Sequence, residues 1–172
     1  MTAWSIRLAR RDDAAALPAI ERSAAELLAG YPGIEGIDPK QVTSADRYRA
    51  LIAKGHSLVA TVGDRVVGFL VTEPCGRELH IREISVTTQW QRQGIGAIMI
   101  RACGIDAGNA GFSALTLTTF RDVPWNAPFY ARLGFVEVAE PEEHLRLSSE
   151  LENEACAGLK PAQRVAMIRF LG

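Results

Sequence analysis

The chain has 172 residues, 48% of them hydrophobic, and a formal net charge of -1. That length and composition suit one globular domain over residues 1–172 and exclude a disordered chain. The near-neutral charge excludes the strongly basic footprint of a nucleic-acid binder. Cys75, Cys103 and Cys156 lie at long spacings. They form neither a disulfide framework nor a zinc-ligand pattern, so no metal is expected and the thiols read as free in a reducing compartment. No apolar run approaches the ~20 residues that cross a bilayer. The first twenty residues, with Arg7, Arg10, Arg11, Asp12 and Asp13, lack the apolar core of a signal peptide. A cytoplasmic protein without a membrane partner is the expectation.

Ser5 to Ala9 reads as a first strand. Asp12 and Asp13 can cap a following helix with apolar positions Leu17, Ile20, Ala24, Leu27 and Leu28. Pro18 must lie in its first turn or kink it. Gly30 to Pro39 is a long loop rich in glycine and proline, a length often associated with function. Thr43 and Asp46 resemble a capping box opening a helix to about Lys54, with Tyr48, Leu51 and Ile52 buried. Ser57–Val62 and Val66–Glu73 form a hairpin around Gly63-Asp64. Then come a strand from Leu79 to Val86, a helix to about Asn109, a strand at Ala114–Phe120 and a helix within Pro124–Leu133 stopped by Gly134. Phe135–Ala139 reads as strand, Pro141–Cys156 as helix or mixed loop, and Arg164–Leu171 as a last strand. Mixed strands and helices with a central hairpin imply an α+β or α/β mixed sheet, partly antiparallel.

The stretch from Leu79 to Gly111 carries the strongest functional signal. Leu79 and Ile81 obey one strand phase, Ile84 and Val86 the other. One extra residue at Arg82-Glu83, a β-bulge, would produce that slip. A strand buried on both faces with charged ends fits equally well. After Val86, the run Gln91-Arg92-Gln93-Gly94-Ile95-Gly96-Ala97 opens a helix whose core stripe reads Ile95, Ile98, Met99, Ala102 and Ile105. A glycine turn at a helix start is an anion site, because the first N–H groups lack helical partners and the helix dipole is positive there. Gly104 within the stripe suggests close packing, and Cys103 reads as packing too.

This run resembles the Q/R-x-x-G-x-G/A motif of the GNAT superfamily of acyl-CoA-dependent N-acyltransferases. Asn126-Ala127-Pro128-Phe129-Tyr130-Ala131-Arg132-Leu133-Gly134-Phe135 resembles that family's second motif. The resemblance covers about Ile6 to Ala139. It implies a GNAT-like acyltransferase fold, a mostly antiparallel central sheet flanked by helices. It also implies acetyl-CoA as co-substrate, with Ile84, Ser85 and Val86 meeting the pantetheine arm and acyl group. Gln91 matches the motif's first position, and the N–H groups of Arg92, Gln93, Gly94, Ile95, Gly96 and Ala97 would cradle the pyrophosphate. Asn126 would hydrogen-bond the cofactor arm, and Tyr130 would stand near the thioester sulfur as general acid.

The implied activity is an N-acetyltransferase in which a primary amine attacks the thioester directly. An amine with a pKa near 10 is mostly ammonium at neutral pH, so a base helps. Glu83 beside the slip is the candidate base, against a structural carboxylate paired with Arg82 or Arg77. The Val86 N–H is the candidate oxyanion donor. His80, His56 and His144 carry no motif, and Tyr130 could also be core. Tyr31, Glu35, Asp38, Phe120 and Trp125 are candidates for the acceptor pocket, where carboxylates would suit a cationic amine. The expected partner is a small-molecule or protein amine, with a homodimer left open. Two other readings compete: a non-catalytic acyl-CoA-binding or regulatory module on the same fold, and a nicotinamide dinucleotide enzyme. The missing third glycine, Met99, argues against the latter.

Overall fold

The computed structural model describes residues 3–172. Strand β1 (Ser5–Leu8) leads through a 3-10 turn, Arg11–Ala16, into helix α1 (Leu17–Ala29). Asp13 accepts from the Arg10 N–H at 2.6 Å and from Arg7, anchoring that turn. The turn delays the α-helix, so Pro18 falls within its first two positions, where its missing N–H costs nothing. Helix α2 (Ala45–Ala53) is capped by Ser44, whose hydroxyl accepts from the Arg47 N–H at 3.1 Å. The cap expected at Thr43 is therefore one residue off, because Thr43 is engaged by Glu21 of α1.

Strands β2 (Leu58–Val62), β3 (Arg65–Cys75) and β4 (Glu78–Val86) form an antiparallel meander. Helix α3 (Ile95–Asn109), strand β5 (Ala114–Phe120), helix α4 (Ala127–Arg132) and the two-residue strand β6 (Val136–Glu137) follow. The last elements are α5 (Leu145–Cys156) and β7 (Arg164–Phe170). Seven strands form one sheet in the order β1-β2-β3-β4-β5-β7-β6. Its neighbours are antiparallel except β4 and β5, which run parallel. The mixed, mostly antiparallel sheet matches expectation, while α4 and β6 are shorter than their sequence patterns. The Pro141–Cys156 segment resolves as a short 3-10 turn and then a helix capped by His144 Nδ1, which accepts from the Leu147 N–H.

Two apolar clusters pack on opposite faces of the sheet. One joins α3, Tyr130 of α4 and Phe135 to Leu70, Leu79, Ile81, Leu115 and Leu117. The other joins α1 and α2 to Val59, Phe69 and Val71. The buried side of α3 is Ile95, Met99, Ile100, Cys103 and Ala107, so Ile98 and Ile105 of the expected stripe face outward. This helix is apolar nearly all round, so its periodicity left the buried face undetermined. Gly104 packs against the Arg169 guanidinium of β7, 3.4 Å from where a Cβ would stand. None of the helices among the described residues is long and apolar enough to cross a membrane.

Candidate functional site

The site begins with a defect in β4. Ile84 stands opposite Leu70 and Glu83 opposite Val71, but Ile81 stands opposite Thr72, so Arg82 has no cross-strand partner. This is the one-residue bulge that the apolar phase slip suggested, and it turns two consecutive side chains to one face. Ile81 and Ile84 both pack with the α3 cluster, whereas Glu83, opposite Val71, faces α1 and α2. Without the extra residue, Glu83 would follow Ile81 onto the α3 side. Arg82 leaves on the α5 side, donating to Glu73 and Glu150 at 2.7 Å each.

A gap opens beside the bulge. Strand β4 pairs with β5 only from Glu78–His80 to Ala114–Thr116, while β5 continues alongside β7 as far as Phe120. From Ile81 to Val86, the edge of β4 away from β3 has no strand partner. The Thr87 N–H donates to the Val67 carbonyl of β3 at 2.9 Å. Alternation along the strand then turns the Val86 N–H away from β3 and into the gap. The Val86 carbonyl looks the same way and accepts from Gln91 Nε2 at 2.9 Å.

Of the two titratable candidates, Glu83 lies on the unpaired stretch of β4 and Tyr130 packs in the α3-side cluster with Ile81 and Leu117. Glu83 accepts from Ser85 Oγ at 2.8 Å and takes part in no ion pair among the described residues. Burial, then the nearby Glu21 carboxylate, push its pKa up to about 7, against the Ser85 hydroxyl, Arg164 and the Ile84 N–H. Tyr130 is buried in α4, its ring edge-on to Phe129 and Phe135. Burial, then the Glu83 charge, raise its phenol well above the usual tyrosine value, so it is a neutral O–H donor at physiological pH.

The turn before α3 presents an unused set of donors. Arg92 and Gly94 both take left-handed conformations, at φ 60° and 82°. The first helical hydrogen bond runs from the Ile98 N–H to the Gly94 carbonyl. Among the described residues, no backbone carbonyl accepts from the N–H groups of Arg92 to Ala97. Gly96 faces Phe129 and Ile84, which lie 3.6 and 3.9 Å from where a Cβ would stand. Asn126 occupies the cap position of α4 without capping it, and its buried Nδ2 has no hydrogen-bond partner. A buried amide donor without an acceptor is costly, and a hydrogen-bonding ligand would satisfy it. A ligand carrying both an anionic group and an amide arm therefore fits these residues.

Of the acceptor-pocket candidates, Tyr31 and Trp125 do come together, edge to face at 5.1 Å between ring centres. A cavity of about 230 Å³ lies beside Tyr31, lined also by Asp122 and Gln163. Glu35 is instead paired with Lys160 at 2.6 Å, and Asp38 accepts from the Lys40 N–H at 3.0 Å. Phe120 is buried beneath the Arg164 guanidinium, 4.5 Å from its ring centre. His80 is structural: buried, with Nδ1 at 2.9 Å from Thr116 Oγ1, and its pKa pushed down to about 3 by burial and by Arg82 and Arg146. His56 faces Asp106 at 2.6 Å, and His144 faces Glu78 at 2.8 Å. Cys103 is buried, and burial pushes its thiol up to about 12. No three His, Cys, Asp or Glu side chains among the described residues gather as a metal site would require.

Sequence reasoning passed over Glu21 and read Tyr48 only as a buried position of the helix. Tyr48 donates to Glu21 Oε2 at 2.5 Å, and the Thr43 N–H donates to the same carboxylate at 2.9 Å. One signal was available: Glu21 lies at helical spacing between Leu17 and Ala24, a carboxylate inside an apolar stripe.

Comparison with known proteins bears on the family and the fold. Residues 53–137 match the family described as "Acetyltransferase (GNAT) domain", a span from the end of α2 to β6 that includes the bulge, the glycine turn and Tyr130. The N-acetylglutamate synthase of Neisseria gonorrhoeae, solved with coenzyme A and N-acetyl-glutamate, aligns at TM-score 0.72 and 18% identity. That alignment covers 100% of this chain and 36% of the synthase, so the chain spans about a third of that protein. PaiA N-acetyltransferase of Thermoplasma acidophilum, solved with coenzyme A, aligns at TM-score 0.72 and 14% identity, covering 98% of this chain and 99% of the other. The ribosomal-protein-S18-alanine N-acetyltransferase of Escherichia coli aligns at TM-score 0.67 and 15% identity, over 99% and 95% of the two chains. At these identities the likeness is one of fold.

Proposed function

Given that the chain belongs to the GNAT superfamily, we propose that it is an N-acetyltransferase moving an acetyl group from acetyl-CoA to a primary amine by direct attack. The observation that carries this reading is the β4–β5 gap: Glu83 lies on the unpaired stretch of β4, and Tyr130 packs in the cluster that holds Ile81 of β4 and Leu117 of β5. The free N–H groups from Arg92 to Ala97 support a pyrophosphate cradle, and the orphaned Asn126 Nδ2 supports an amide-bearing arm in the gap. Ile84, Ser85, Val86 and Gln91 border that arm.

Acetyl-CoA supplies the activated acyl carbon. Glu83, half ionised near neutral pH, takes a proton from the acceptor so that a neutral nitrogen attacks. The Val86 N–H meets the oxygen that gains negative charge as the C–N bond forms. As the C–S bond breaks, Tyr130, a neutral phenol, gives its proton to the departing sulfur.

The acceptor is a small amine or, next, a protein amine, and the cavity lined by Tyr31, Asp122 and Gln163 supports a place for it. Relatives acting on an amino acid and on a ribosomal protein support either class. The continuous sheet from β1 to β7 supports reading residues 1–172 as one acetyltransferase domain. The three free cysteines support a reducing, cytoplasmic setting.

Thiol release from acetyl-CoA over a panel of small amines and peptides tests the proposal. The expected result is turnover on at least one aliphatic amine. Tight coenzyme A binding with no release over the whole panel would make the protein an acyl-CoA-binding module instead.

A further inference from the structure

The neighbourhood of Glu83 holds a second carboxylate with no assigned role. Glu83 and Ser85 stand opposite Val71 and Phe69, and those two side chains belong to the cluster that contains Tyr48. The Tyr48 ring packs edge-on to Phe69 at 5.2 Å, and its hydroxyl donates to Glu21 at 2.5 Å. A continuous path therefore runs from Glu21 through Tyr48 and Phe69 to the face that carries Ser85 and Glu83. Among the described residues, Glu21 and Glu83 join no ion pair, whereas Glu73, Glu78, Glu150 and Glu154 all do. Two carboxylates share one side of the sheet without a cation to divide between them.

Their settings differ. Glu21 accepts from the Tyr48 hydroxyl and the Thr43 N–H, and acts as an acceptor toward each, the role of a carboxylate. Glu83 has a single hydroxyl donor, Ser85, beside the Ile84 N–H. The titratable and charged groups whose fields couple to Glu83 are Glu21 from α1, Tyr48 from α2, Tyr130 from α4 across the sheet and Arg164 from β7. Arg164 is committed to Glu154, at 2.9 and 3.0 Å, and Arg82 points to Glu73 and Glu150. Glu21 is thus the fixed negative charge that Glu83 feels, held in place by a buried phenol.

We infer that Glu21 is a positioning residue: its charge, fixed by Tyr48 and Thr43, keeps the Glu83 carboxylate basic enough to take the proton from the acceptor amine. The inference rests on the reading of Glu83 as the base. Like charges at close range raise the proton affinity of the partner, so removing one lowers it. Environments that separate two acids in this way divide their roles.

The test is the pH dependence of kcat/KM for acetyl transfer to the best amine of the panel, with Glu21→Gln, Glu21→Asp and Glu83→Gln. The acid limb reports the base of the free enzyme. For Glu21→Gln, which keeps shape and acceptor oxygen, the limb is expected to move to lower pH by at least about half a unit. Glu21→Asp, which keeps the charge, is expected to hold the limb near its original position. An unmoved limb in Glu21→Gln, with activity lost in Glu83→Gln, overturns the role of Glu21 and leaves Glu83 as base. Activity retained in Glu83→Gln overturns the base and this inference together. Should Glu21→Gln fail to fold, carboxyl-carbon NMR of the unaltered protein reads the same coupling. Its expected signature is a two-step titration of the Glu83 resonance, and a single step overturns the inference.

Discussion

Glu73 and Glu83 are the same side chain on neighbouring strands, either side of one bulge, and they are driven in opposite directions. Glu73 is gripped by Lys54, by Arg82 at 2.7 Å and by Arg47 at 3.7 Å. The hydrogen bond from Lys54, reinforced by Arg82, pulls its pKa down to about 2 despite partial burial. Glu83 has no cation partner, and burial beside Glu21 pushes it up to about 7. The bulge produces both outcomes, because the residue it inserts, Arg82, turns to Glu73 while Glu83 is re-aimed to the other helices. A paired carboxylate serves the fold. An unpaired one stores basicity at a cost in stability, as the proposed role of Glu83 as the base requires.

The largest expected effect breaks the Glu83 half of this contrast. Glu83→Gln should lower kcat by roughly 10²-fold or more, the usual worth of a general base. The same variant should be more stable than the parent at pH 8, by about 1–2 kcal/mol. The sign follows from the raised pKa. Glu83 favours the folded state below its unfolded value, and that contribution is lost as pH rises through about 7. Urea denaturation at pH 8 and pH 4 checks this: the gain should be present at the first and vanish at the second. Loss of stability at pH 8 would mean that Glu83 is structural.

Next in size is the cradle. Gly96→Trp should weaken coenzyme A binding by about 10²-fold or more while the fold survives, because the added ring must displace Phe129 and Ile84 at the helix start. Isothermal calorimetry with coenzyme A, alongside circular dichroism, measures both; retained affinity would remove the phosphate site from this turn. Tyr130→Phe should then lower kcat by about 10-fold to 10²-fold with little change in coenzyme A affinity, since a proton is lost and the ring stays. Unchanged turnover would return Tyr130 to the core.

The smallest effect on activity belongs to the other glutamate. Glu73→Gln should leave kcat within about 2-fold but cost about 1–3 kcal/mol at pH 7. Its depressed pKa means that the stability is present above the unfolded value and fades as pH falls toward about 2. Thermal melts across that range should therefore converge in acid. A large fall in kcat at Glu73 would erase the distinction between the two residues.

Much of this was legible in the chain because it is short-range. The phase slip between Ile81 and Ile84 is a local count, and of the two readings it allowed, a bulge or a strand buried on both faces, the structure has the bulge at Arg82. Gly94 and Gly96 at a helix start, the Gly63-Asp64 turn and the alternation of Ala114–Phe120 are equally local. Tertiary structure decided which groups meet. Glu35 and Asp38 read as acceptor carboxylates, yet one pairs with Lys160 and the other serves its own turn. The buried face of α3 was hidden because an all-round apolar helix takes its orientation from what packs on it. Strand β7 enters between β5 and β6, placing Arg164 within reach of Glu83. Turn chemistry is written in neighbouring residues, so the sequence alone placed the glycine turn; strand phase offered the bulge as one of two readings, and the cross-strand register decided it. The proton affinity of Glu83 depends on charges brought from α1 and β7, and only the folded chain assembles those.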